Sequence, residues 1–104
     1  MLATRRAPMS DRILTQHPEG KQGVNILKTK YDAMRQALLK VVPSDEAGVP
    51  FQGLDERVAA HLGDAFDPED SVRWYLVAVK QDLEARGELE IVPKRRPQHL
   101  RRVR

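Results

Sequence analysis

The chain has 104 residues, about one domain's worth, with 18 basic and 15 acidic side chains and a formal net charge of +3. It contains no cysteine, which excludes a disulfide scaffold, a thiolate metal site and a cysteine nucleophile. That absence is compatible with a reducing compartment, and a cytoplasmic location is expected. The apolar runs are a few residues long, too short to span a bilayer, so no membrane partner is expected.

Residues 1–11 lack periodicity and read as a flexible tail. Arg5 and Arg6 precede no apolar stretch, so the segment does not resemble a secretory signal. Met1 and Met9 are alternative starts. The remainder, 12–104, reads as one domain. A chain of this size buries roughly two-thirds of its unfolded surface, enough for one modest and mainly aliphatic core.

Arg12 to Leu27 predicts a β-hairpin. Ile13–Thr15 and Val24–Leu27 are strand-like, and the intervening His17-Pro18-Glu19-Gly20-Lys21-Gln22-Gly23 is rich in turn formers. Thr29 to Val42 predicts the first helix, with Tyr31, Met34, Leu38 and Val41/Val42 at helical spacing. Thr29 and Asp32 have the spacing of a capping box. Pro43 ends the helix.

Val49-Pro50-Phe51 is a short extended piece that its proline confines to a sheet edge. Leu54 to Leu62 predicts a short second helix, with Leu54, Val58 and Leu62 on one face and Gly63 able to close it. Ser71 to Arg86 is the clearest element. Val72, Tyr75, Leu76, Val79 and Leu83 form its apolar stripe, the Asp67–Ser71 stretch supplies caps, and Gly87 is the expected stop. Leu89–Val92 and Gln98–Val103 read as a closing pair of strands around the basic turn Pro93–Pro97.

The predicted class is therefore α+β: a winged-helix-like three-helix core, a small antiparallel sheet, and an extra N-terminal β-hairpin. Three stretches carry a family resemblance. They are His17-Pro18-Glu19-Gly20-Lys21 with Lys30-Tyr31-Asp32-Ala33-Met34-Arg35, then Ser71-Val72-Arg73-Trp74-Tyr75, then Val79-Lys80-Gln81-Asp82-Leu83-Glu84-Ala85-Arg86-Gly87. Over about residues 12–103 the chain resembles a family of small, uncharacterised bacterial proteins of winged-helix-like architecture. The resemblance implies no activity. The wider winged-helix superfamily implies DNA binding, by analogy of fold alone.

Charge is distributed unevenly. Residues 1–30 carry a net +4, residues 31–93 a net −7, and residues 94–104 a net +6. Lys94, Arg95 and Arg96 occupy the turn that would be the wing, and Arg101 and Arg102 follow on the next strand. These five are candidate phosphate contacts. Arg73 and Lys80 on the third helix are secondary candidates. Against a reading helix stand Asp82, Glu84 and the carboxylates Asp64, Asp67, Glu69 and Asp70 just before it. The Gly63–Asp70 loop is also longer than the tight turn of a helix-turn-helix. The plainer expectation is a packing helix with a solvated outer face. For the basic turn, a solubilising hairpin tip stands level with the phosphate-contact reading, since six cations without one acid exceed ordinary surface decoration.

The acidic group lacks the spacing and glycine of a calcium loop, and capping explains it more simply. His17, His61 and His99 are scattered, the glycine loop lacks phosphate-loop spacing, and no nucleophile–base–acid set is visible. No metal, no cofactor and no catalysis are expected. Trp74 is a candidate anchor for a partner, or else covers the base of the wing. Two functional readings follow. One is a non-enzymatic protein binding double-stranded DNA mainly through the wing. The other is an interaction or homodimerisation module with no nucleic-acid role.

Overall fold

A computed structural model of the chain describes residues 11–103. The flexible tail expected over residues 1–11 lies outside it, apart from Asp11. The hairpin strands β1 (Arg12–Leu14) and β2 (Asn25–Leu27) pair antiparallel, Ile13 opposite Ile26. Helix α1 (Lys28–Val41) follows without a break. Then come strand β3 (Val49–Pro50), helix α2 (Leu54–Ala59), a 3-10 turn (Gly63–Ala65) and helix α3 (Val72–Ala85). Strands β4 (Leu89–Ile91) and β5 (His99–Arg102) close the described chain. The class is α+β, with three α-helices and two small antiparallel sheets among the described residues.

The second sheet has the order β3-β5-β4. Pro50 lies opposite His99 on the edge strand, where its missing N–H breaks no inner ladder. Leu100 faces Val49 on one side and Ile91 on the other.

The helical stripes make the core. Met34, Leu38, Leu54, Val58, Leu76, Val79 and Leu83 are fully enclosed, and Leu89 and Leu100 close them from the sheet. Tyr75 and Val72, expected inside, are half-buried at its margin. Ala37 and Ile26 are core residues that the stripes did not single out.

The helix ends correct two expectations. Thr29 caps nothing. The N-cap of α1 is Leu27, whose side chain offers no acceptor, because β2 runs straight into the helix. The Lys28 N–H is taken instead by the Asp11 carbonyl across the hairpin. Helix α2 stops at Ala59, short of Leu62. Ser71 does cap α3, its hydroxyl accepting from the Trp74 N–H. Gly87 ends the same helix at φ 79, where a side chain would be strained.

Candidate functional site

The outer face of α3 is covered rather than solvated. Within α3 only Arg73 and Trp74 are exposed. Phe51 covers the Lys80 side, the N-terminal hairpin loop flanks the other, and the hairpin's anchor is Asp82. The Asp82 carboxylate is completely buried and accepts from the Gln16 backbone N–H at 2.8 Å, from the Tyr31 hydroxyl, and from Arg86 Nε at 2.8 Å. By sequence alone Asp82 is a charge that opposes DNA. It is an internal acceptor that ties hairpin, α1 and α3 together, and its charge is met by Arg86. The hydrogen bond to Asp82 in turn raises the pKa of Arg86 above its ordinary value. Only the i,i+4 pair with Arg86 is local; Gln16 and Tyr31 lie 66 and 51 residues away, so no local pattern marks the whole role.

Between hairpin loop and helix lies a groove of about 280 Å³. Val24 lines one wall; Val77 and Ala78 form the helical side, with Trp74 and Gln81 beside them. The loop wall is fixed. Thr15 N–H donates to the Val24 carbonyl, Val24 N–H donates to the Thr15 hydroxyl, and Gly23 lies so close that a Cβ there would stand 1.8 Å from the Thr15 carbonyl oxygen. Trp74 is 48% exposed. Its indole packs edge-on against Tyr75, whose ring packs edge-on against Phe66, each at 5.0 Å between centroids. Trp74 thus stands at the hairpin groove.

The candidate cations fall into two groups. Lys94, Arg95 and Arg96 stand exposed in the β4–β5 loop, and among the described residues none of them has a carboxylate partner. Arg73 is also exposed, with its guanidinium 5.6 Å from the Phe51 ring centre. The other three are structural. Lys80, expected on a polar face, is 8% exposed, pairs with Glu84 at 3.1 Å and sits over Phe51. Arg101 bonds Glu90 and the Glu46 carbonyl. Arg102 Nε donates to the Val42 carbonyl just past α1, a position that favours a cation.

The acidic loop before α3 acts differently from the capping role expected of it. Asp70 accepts from Lys30 Nζ at 2.5 Å and from the Asp67 N–H, and Asp67 adds a longer contact to Lys30 at 3.7 Å. Lys30 is a buried ammonium beside Phe66 and Tyr75. The hydrogen bond to Asp70 raises its pKa, and the same bond lowers that of Asp70. His61 is exposed, His99 is buried with Nδ1 against the Pro97 carbonyl, and His17 Nδ1 accepts from the Glu19 N–H.

Among the described residues, no helix is long and apolar enough to cross a membrane. No curated protein and no solved structure matches the chain. A family model matches residues 12–100, from the first hairpin strand into β5, and the chain belongs to this family of unknown function, DUF6958.

Proposed function

We propose that this is a non-enzymatic protein that contacts double-stranded DNA through the β4–β5 loop, gripping phosphates rather than reading bases. The observation carrying this reading is the exposed triplet Lys94-Arg95-Arg96, without carboxylate partners among the described residues. Unpaired cations at a loop tip are available to displace the counterions of a duplex. The element order of three helices with a terminal strand pair resembles that of a winged helix, in which this loop would be the wing, and this fold analogy supports the placement. The covered face of α3 argues against major-groove reading by that helix, so little sequence preference is expected.

The test is affinity for a mixed-sequence duplex as a function of salt. Replacing Lys94, Arg95 and Arg96 together by alanine should flatten the log–log slope by about 2 to 3, at roughly 0.9 per phosphate contact. Absence of binding at low salt would overturn the reading.

The exposed Trp74 and Leu14, at 48% and 58%, favour a second reading as an interaction or homodimerisation module. Light scattering at low and high salt tests the homodimer, which a monomer at every concentration would exclude.

A further inference from the structure

The hairpin groove is separate in character from the basic loop. Its helical side is apolar, from Val77 and Ala78, and the Trp74 indole stands beside it. Gln16, Gln22 and Gln81 also line it, and none of their carboxamides makes a hydrogen bond among the described residues. Among the described residues, Arg73 is the one lysine or arginine that lines the groove, and no carboxylate lines it.

Each feature narrows the occupant. An exposed indole held by an aromatic neighbour is a stacking surface for a planar ring. A carboxamide presents a donor and an acceptor side by side, which matches the edge of a nucleobase and is left unsatisfied by an aliphatic or phenyl group. Arg73 supplies a cation for a phosphate attached to that ring. The walls need little rearrangement to receive a ligand, because Thr15, Val24 and Asp82 already fix them.

We propose that the groove between the hairpin loop and α3 binds a nucleobase bearing a phosphate, stacked on Trp74 and held at its edge by Gln81 and Gln16. The base comes either from a free nucleotide or from an unpaired position in a strand. This does not rest on the duplex-binding reading, since it uses neither Lys94, Arg95 nor Arg96.

Trp74 is the chain's single tryptophan, so one indole N–H resonance reports the groove. The experiment titrates the full chain with the four nucleoside monophosphates, with a short oligothymidylate, and with p-cresol as a ring lacking a base edge. The proposal expects a saturable shift of the indole resonance with a monophosphate or the oligonucleotide by about 1 mM, the weak end of specific binding. Gln81→Ala should weaken it tenfold or more, and the triple alanine variant of residues 94–96 should leave monophosphate binding unchanged. A strand at least tenfold tighter than every monophosphate assigns the strand as source; otherwise the free nucleotide is the source. No shift with any nucleotide, an equal response to p-cresol, or loss of monophosphate binding in the triple variant would overturn the proposal. Loss of duplex binding alone in that variant would leave the groove site standing.

Discussion

The Tyr31 hydroxyl donates to the buried carboxylate of Asp82, 51 residues further along the chain. That bond joins α1 to α3 at the place where the hairpin also docks, through the Gln16 N–H. A buried carboxylate is tolerated because three donors, one of them cationic, surround it. Asp82→Ala strands all three. Urea unfolding should show a loss of about 3–5 kcal/mol. Amide exchange should show the Gln16 N–H losing protection before the core of α3. Wild-type stability in this variant would contradict the arrangement.

Alkaline stability follows from the same bond. Burial, then the Asp82 carboxylate, pushes the Tyr31 pKa above its ordinary value of 10.0. The folded chain therefore holds the phenolic proton more tightly than the unfolded chain. The resulting stability is complete below pH 10.0 and falls as pH rises from there through the folded value. Thermal melts above this pH should show a steeper decline for the wild type than for Tyr31→Phe. At neutral pH the variant should be weaker by about 1–3 kcal/mol, for the lost hydrogen bond.

Lys30 and Asp70 set an acid limit. The Lys30 hydrogen bond, then the Asp67 N–H, lowers the pKa of Asp70 from 3.8. Its contribution is present above pH 3.8 and is lost as pH falls through the folded value. Asp70→Asn should shrink the acid-induced loss of stability in that window. It should also speed amide exchange at Asp67, whose N–H the Asp70 carboxylate accepts.

Two glycines in the hairpin loop should respond differently to alanine. At Gly23 the new Cβ meets the Thr15 carbonyl oxygen at 1.8 Å, so the loop must open. A loss of more than about 2 kcal/mol is expected in denaturant unfolding. Gly20 faces open space at φ 77, so only the left-handed conformation is penalised, by about 1–2 kcal/mol. Gly23→Ala should in addition disturb the Trp74 indole resonance.

Lys80 separates structural from binding charge. Lys80→Ala leaves Glu84 without its partner and uncovers Phe51, so stability should drop by about 1–3 kcal/mol. Duplex affinity at low salt should stay within about twofold, unlike that of the variant lacking the three loop cations. A matching loss of affinity would place Lys80 in the interface.

The sequence by itself determined the order and type of the elements. Apolar spacing at Val72, Tyr75, Leu76, Val79 and Leu83, the cap at Ser71 and the stop at Gly87 are local signals, complete within a few turns of chain. The edge strand at Pro50 and the basic turn at residues 94–96 were legible for the same reason. Thr29 misled because a capping box satisfies orphan amides only when nothing else does, and here Asp11 already takes the Lys28 N–H. What only the tertiary structure decided is which charges face solvent. Arg101 and Lys94 are alike in sequence, yet one is bonded to Glu90 and Glu46 while the other stands at an open loop tip. Asp82 and Lys80, solvent-facing charges by sequence alone, are buried with partners. Side-chain periodicity says which face of a helix is apolar. The hairpin that flanks the other face of α3 comes from a segment dozens of residues away, and no local pattern records its docking.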